Sequence, residues 1–269
     1  MKKIISVVNM KGGVGKTTTA VNIAACWGEL GKRVLLVDID PQGSSSASYG
    51  VMNEGRELLT ALQKREALPV VPTGVNEVDL VPSGPELVTA DQIFMGTDYN
   101  ELLSECIKRT SGDWDLIIID CPPSLGVLTM NALLASMHVL VPVEASFLGL
   151  HGLKQMVAAI ESLKSRNPEI NIEAIIPCRA HRRRRIHWEI MGNLEEMFPG
   201  KVTPIIRENV SLAEAPGRGK PVILTARMSK GADDYRIVTM WLGDRIGETK
   251  QDEGVFSRNL LTQLLRIPN

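Results

Sequence analysis

Residues 4–25 constrain this chain more than any other stretch. Ile4-Ile5-Ser6-Val7-Val8 is an apolar run of strand length, rich in β-branched residues. Ala20-Val21-Asn22-Ile23-Ala24-Ala25 reads as the opening turns of a helix. Between them lies Asn9-Met10-Lys11-Gly12-Gly13-Val14-Gly15-Lys16-Thr17-Thr18-Thr19. A strand, a glycine-rich turn and a helix N-terminus make an anion site, because free backbone N–H groups and the helix dipole converge there. Gly12, Gly13 and Gly15 let the backbone approach the anion with no Cβ in the way. Val14 and Thr18 complete the loop around it. Lys16 supplies a point charge for β- and γ-phosphates, and the Thr17 hydroxyl is a ligand for Mg²⁺. The stretch predicts a nucleoside-triphosphate site.

The loop departs from the general pattern G-x-x-x-x-G-K-[ST], which would place glycine where Met10 stands. A second lysine, Lys11, follows Met10. The sequence K-G-G-x-G-K-[ST] resembles the deviant Walker A motif of the ParA/MinD family of ATPases, and the chain as a whole is most like the short, Soj-like ParA members. The resemblance implies a P-loop α/β fold of a single domain, with a mostly parallel twisted sheet and helices on both faces. It implies ATP and Mg²⁺ as cofactors. It also implies an ATP-sandwich homodimer, in which Lys11 reaches the nucleotide of the other subunit while Lys16 serves its own.

Two acidic strand ends extend the resemblance. Val34-Leu35-Leu36-Val37-Asp38 is a continuous apolar run, typical of a strand buried on both faces. It runs into Ile39-Asp40-Pro41-Gln42-Gly43. Carboxylates at the C-terminal end of a parallel strand lie where ligands bind in open α/β sheets, although they also serve to cap turns. The family pattern D-x-D-P-Q-G implies that Asp40 positions the attacking water and that Asp38 supports the Mg²⁺ shell. Leu116-Ile117-Ile118-Ile119-Asp120 resembles a Walker B strand, which gives Asp120 a water-mediated contact to Mg²⁺. Pro122 and Pro123 stiffen the turn after it, as in the family's second switch.

At 269 residues the chain suits one large α/β domain or two small ones, and 44% hydrophobic content suffices for a core. With aromatics at only 4%, that core is aliphatic. A net charge of −1 excludes nucleic-acid binding by overall basicity and leaves it to local patches. Cys26, Cys106, Cys121 and Cys178 lack C-x-x-C spacing and read as small core residues of a reducing compartment. No apolar run spans a bilayer, and the expected location is cytoplasmic and nucleoid-associated.

The middle of the chain carries no chemistry. Ser44-Ser45-Ser46-Ala47-Ser48 reads as a flexible continuation of the first switch. Residues 56–62 read as a short helix, 70–72 and 78–84 as short strands ended by proline and glycine, and 100–109 as a helix. Later come a strand at 138–143, a helix carrying Leu153, Met156, Val157, Ile160 and Leu163, and a strand at 172–177. His138 and His151 lack partners at metal-ligand spacing.

Three features bear on partners. Arg182, Arg183, Arg184 and Arg185, flanked by His187 and Trp188, suit contact with a phosphate backbone; a solvated loop pairing with Glu189, Glu195 and Glu196 is equally consistent. The segment 203–216 resembles the ParA stretch I-P-R-N-V-x-L-x-E-A-P around adenine. There Asn209 keeps the base-contacting asparagine, while Arg207 replaces proline and contacts adenine through its backbone. Glu208, Ser211 and Met228 stand where ParA arginines contribute to nonspecific DNA binding, with Arg218, Lys220, Arg227 and Lys230 still nearby. The resemblance covers 1–247 as the ATPase domain. Residues 248–269 form a tail whose 254–267 stretch has an amphipathic helical pattern. That tail suits packing on the body or on a partner, or a membrane surface as in MinD. The resemblance thus implies a ParA-type ATPase that positions or partitions a cargo by ATP-gated binding to nonspecific DNA. Its hydrolysis would be slow and stimulated by an activating, ParB-like or adaptor partner. A MinD-like membrane-cycling ATPase is the alternative.

Overall fold

Short aliphatic runs without polar alternation demand cover on both faces, and that demand builds the sheet. The computed structural model describes residues 2–95, 99, 101–180 and 185–247. Its strands are β1 (Lys3–Val7), β2 (Val34–Asp38), β3 (Val71–Val75), β4 (Val78–Val81), β5 (Leu116–Asp120), β6 (His138–Glu144) and β7 (Asn171–Cys178). They form one sheet in the order β3-β4-β2-β5-β1-β6-β7. Every neighbouring pair is parallel except the β3–β4 hairpin. Every residue of β2 and of β5 is buried. Pro72 sits in β3, an edge strand, where its missing N–H breaks no ladder on the outer side.

The helices are α1 (Lys16–Glu29), α2 (Ser44–Ser48), α3 (Arg56–Lys64), α4 (Ala90–Ile93), α5 (Leu102–Arg109), α6 (Val127–Ala135), α7 (Phe147–Leu163), α8 (Arg185–Met197), α9 (Val210–Glu214), α10 (Val222–Thr225) and α11 (Lys230–Ile246). The core divides between the two faces of the sheet. One half packs Ile23, Trp27, Tyr235 and Leu242 of α1 and α11 onto Ile5, Leu36 and Ile118. The other packs Leu103, Leu133 and Ile160 of α5, α6 and α7 onto Leu35, Ile117 and Val141. All four cysteines are buried free thiols.

Helix α1 is apolar nearly all round because it is covered on both sides, by the sheet and by α11. Gly28 is required there: a Cβ would lie 2.4 Å from the Asn76 carbonyl oxygen of the β3–β4 turn. The 44–48 stretch corrects the sequence expectation. It is the helix α2, with Ser45, Ser46 and Ser48 buried; Ser45 and Ser46 donate to strand-end carboxylates, and Ser48 donates to the Ser44 carbonyl. Arg182, Arg183 and Arg184 and the tail 248–269 lie outside the described residues.

Candidate nucleotide site

The chain runs from β1 to one side of the sheet and from β5 to the other, so the C-terminal ends of β1, β2 and β5 meet at a switch of strand order. Asp38 and Asp120 end two of these strands. The loop from Asn9 to Gly15 is pinned by Asn9, whose Nδ2 donates to the Pro142 carbonyl at 2.7 Å and whose Oδ1 accepts from Lys11 N at 2.9 Å. Gly15 caps α1 in a left-handed conformation with φ 103°, and no side chain caps the helix. A Cβ on Gly12 or Gly13 would meet nothing within 4 Å, so the loop faces open space. Free N–H groups of the first turn therefore point into a cavity.

That cavity, of about 470 Å³, is lined on one side by Gly12, Gly13, Gly15, Lys16, Thr17 and Thr18. Asp40, Arg179, Ile206, Asn209 and Tyr235 line it elsewhere. Lys16 curls back over the loop and donates to the Lys11 carbonyl at 3.1 Å. Burial pulls its ammonium below the usual lysine range, against the opposing pull of the Asp120 and Asp40 carboxylates. Lys11 does not point at the same spot. Its ammonium pairs with Glu144 at the end of β6, and that hydrogen bond holds Glu144 below the usual carboxylate range.

Asp38 and Asp120 are fully buried register partners. Both oxygens of Asp38 are satisfied: Oδ1 accepts from Asp40 N at 3.1 Å, and Oδ2 accepts from Ser46 N at 2.8 Å and Ser46 Oγ at 2.7 Å. Asp120 Oδ2 accepts from Thr17 Oγ1 and from Ser45 Oγ, each at 2.8 Å. Asp120 Oδ1 is buried with no hydrogen-bond partner. Burial, then the charge of Asp38, pushes the Asp120 carboxyl well up. Such an orphaned oxygen, beside a threonine hydroxyl and the glycine loop, fits the water shell of a phosphate-bound divalent cation. Among the described residues no three His, Cys, Asp or Glu side chains form a metal cage. A cation here has to be shared with phosphate and water, as Mg²⁺ usually is.

Asp40 is 8% exposed and accepts from Gln42 N at 3.0 Å, while its carbonyl accepts from Ser83 Oγ at 2.7 Å. The 202–207 segment runs parallel beside β7, with Ile206 N donating to the Pro177 carbonyl at 2.8 Å. The Arg207 guanidinium is bound by Asp234 of α11, its Nε donating at 3.0 Å and its Nη2 at 2.6 Å to Oδ1. Asn209 caps α9 by accepting from Ser211 N at 2.8 Å, and it lines the cavity. Sequence reasoning missed Glu144, Ser45, Ser46 and Ser83. Their only local signal is a run of small polar residues after Gly43 and a carboxylate after a strand.

The basic candidates divide. Arg218, Lys220 and Lys230 are exposed, with Arg218 paired to Glu214 at 3.5 Å. Arg185 opens α8, and the other three arginines of its run lie outside the described residues. His138 Nδ1 pairs with Glu173 at 3.0 Å, and Arg245 binds the other Glu173 oxygen at 3.1 Å. His138 thus belongs to a charge network. Among the described residues no helix is long and apolar enough to cross a membrane.

A mostly parallel sheet with a glycine loop at its strand switch, two lysines on that loop and acidic ends on β2 and β5 define a P-loop nucleotide-binding protein. The family described as AAA domain matches residues 2–172. The sporulation initiation inhibitor protein Soj of Bacillus subtilis is 38% identical over 242 residues, 87% of this chain and 96% of that protein. The chromosome-partitioning ATPase Soj of Thermus thermophilus is 40% identical over 234 residues, 86% of this chain and 92% of its own. Among solved structures, the septum site-determining protein MinD of Pyrococcus horikoshii, complexed with Mg-ADP, superposes with TM-score 0.76 at 25% identity, covering 93% of this chain and 100% of that one. The cobyrinic acid a,c-diamide synthase of Mycobacterium smegmatis, with bound ADP and magnesium, superposes with TM-score 0.77 at 29% identity, covering 93% and 98%. The chain belongs to the ParA/MinD family of P-loop ATPases.

Proposed function

We propose that this chain is a ParA-type ATPase that dimerises around ATP and, in that state, binds nonspecific DNA to position or partition a cargo such as a DNA locus, a plasmid or a protein assembly. The observation that carries the reading is the pair of lysines on one loop, with Lys16 lining the cavity and Lys11 turned to Glu144 at the end of β6. A single nucleotide needs only Lys16 from this loop. A second lysine held away from it by Glu144 supports a role for Lys11 toward another subunit. The name of the Thermus thermophilus relative, a chromosome-partitioning ATPase, supports the same reading.

In this reading the loop N–H groups and Lys16 hold the triphosphate, and Asn209 and the Arg207 backbone face the base. Thr17 and Asp120, with Asp38 behind them, would hold Mg²⁺, which neutralises charge on the β- and γ-phosphates. Asp40 orients the attacking water. Turnover is slow until a partner completes the site, as positioning and charge neutralisation supply most of phosphoryl-transfer catalysis.

The test is light scattering with ATP bound. The Asp40→Ala protein should be a dimer with ATP and a monomer with ADP, and Lys11→Ala should abolish the dimer while retaining ATP. An oligomer indifferent to nucleotide and to Lys11 would refute the sandwich. A membrane-cycling role resembling MinD is the second reading, favoured by the apolar pattern of 254–267. ATP-dependent binding to anionic liposomes, lost when residues 254–269 are removed, would establish it in place of DNA binding.

A further inference from the structure

Ser45 and Ser46 are neighbours in α2, both buried, yet each serves a different strand. Ser46 donates to Asp38 at the end of β2, and Ser45 donates to Asp120 at the end of β5. The Ser46 contact has an ordinary structural explanation, because it completes the hydrogen bonding of a carboxylate whose two oxygens are both occupied. The Ser45 contact does not. Ser45 and Thr17 both donate to Oδ2 of Asp120, while Oδ1 of the same fully buried carboxylate has no partner. Leaving one buried oxygen unpaired while the other takes two donors is costly unless something else binds there.

The second relevant geometry is the path of the chain. Asp40 and Ser45 belong to one short segment, turned at Gly43 in a left-handed conformation. The Asp40 carbonyl is held by Ser83, and the Ser46 hydroxyl both donates to Asp38 and accepts from Ser83 N at 3.0 Å. Those contacts tie the segment to β2 and to the residues after β4. Ser45 ties it to β5, the strand that carries the proposed cation contact.

We propose that Ser45 is a positioning residue which, with Thr17, fixes the rotation of Asp120 so that Oδ1 is held for the water shell of nucleotide-bound Mg²⁺, and which couples the 40–48 segment to that cation. This inference rests on the Mg²⁺–nucleotide reading of the site. Coupling of this kind is reciprocal: if the cation alters the hold of Asp120 on Ser45, removing Ser45 alters the hold on the cation.

The experiment compares ADP affinity by calorimetry in Mg²⁺ and in EDTA, with hydrogen exchange of residues 40–48 as a second readout. The wild type should bind ADP more tightly in Mg²⁺, and the cation should change exchange in this segment. Ser45→Ala should cut the Mg²⁺-dependent gain about tenfold, the factor carried by one hydrogen bond to a charged group, while leaving affinity in EDTA unchanged. It should also erase the exchange response. Ser46→Ala is the control, expected to lower thermal stability but to keep the Mg²⁺ gain. Ser45→Cys, nearly isosteric with a weaker donor, should lie between wild type and Ser45→Ala and keeps the test open if the alanine variant folds poorly. A Ser45→Ala protein with the full Mg²⁺ gain, or a Ser46→Ala protein that loses it equally, would overturn the proposal. A wild type that binds no ADP in either buffer would overturn the nucleotide reading itself.

Discussion

Asp38 and Asp120 are direct register partners on β2 and β5, yet their hydrogen bonding is opposite in kind: Asp38 is saturated by Ser46 and Asp40, whereas Asp120 keeps one oxygen without a partner. Two adjacent buried carboxylates repel each other and lose hydration, which nothing in a closed core would compensate. Their separate environments assign them separate work. Asp38 shapes the segment that carries Asp40, and in the proposed reading the free oxygen of Asp120 is the one that meets a cation.

The first prediction concerns the two lysine and aspartate roles. Lys16→Ala removes the ammonium proposed to face the triphosphate and should weaken ATP binding about 100-fold or more, equivalent to about 2.7 kcal/mol. Asp40→Ala should leave ATP affinity near wild type and block turnover. Filter binding and phosphate release on the same preparations separate the two. Normal turnover by Asp40→Ala would remove Asp40 from catalysis.

Glu144 competes for Lys11. The pair is about one-third exposed on each side, and such pairs carry about 0.2–1 kcal/mol. Glu144→Gln should therefore strengthen the ATP dimer, by up to about fivefold, because Lys11 no longer leaves a carboxylate to reach the second nucleotide. Sedimentation of the Asp40→Ala background with and without the substitution measures it. A weaker dimer would mean that Glu144 itself contributes across the interface.

With Asp120 as the proposed cation contact, its raised carboxyl predicts cation binding that depends on pH. A folded-state value above the ordinary one means that the native protein takes up a proton more readily than the unfolded chain, and Mg²⁺ has to displace it. The extra thermal stability given by MgADP over ADP alone should shrink as the pH is lowered from about 8 to about 6. Asp120→Asn should abolish that extra stability and its pH dependence together. A MgADP increment independent of pH would place the cation away from this carboxylate.

Arg207 and Asp234 make the strongest stability prediction. Asp234 is 4% exposed and is held by the Arg207 backbone N at 2.9 Å as well as by its guanidinium. The Arg207 side chain is 25% exposed, so its removal leaves a buried carboxylate that water partly reaches, at a cost of about 1–3 kcal/mol. Arg207→Ala should lower Tm by about 2–12 °C for a domain of this size. Adding Asp234→Ala should recover part of the loss, which differential calorimetry on both proteins will show.

Basic residues at 182–185 and at 218–230 give distinct expectations for DNA. Each neutralised phosphate steepens the log–log salt dependence by about 0.9 on duplex DNA. Replacing Arg182, Arg183, Arg184 and Arg185 with alanine should weaken binding to any sequence and flatten that slope, without changing basal ATP turnover. Replacing Arg218, Lys220 and Lys230 tests the second, exposed surface in the same titration. Unchanged slopes in both variants would remove DNA as the ATP-gated surface.

The sequence by itself determined what short-range physics controls. Aliphatic runs at 34–38 and 116–120 have no polar alternation and can only be strands covered on both sides, and Asp38 and Asp120 necessarily end them. The glycines and lysines around Lys16 define an anion loop wherever they occur between a strand and a helix. Tertiary structure alone decided the partners. Ser45 and Asp120 are separated by 75 residues, Lys11 and Glu144 by 133, and Arg207 and Asp234 by 27. No local pattern encodes such pairings, because they follow from which strands become neighbours. The 44–48 stretch illustrates the limit. Its serines favour a loop by their backbone-bonding habit, yet the stretch is a helix in which Ser45 and Ser46 donate to two buried carboxylates and only Ser48 donates back to the Ser44 carbonyl.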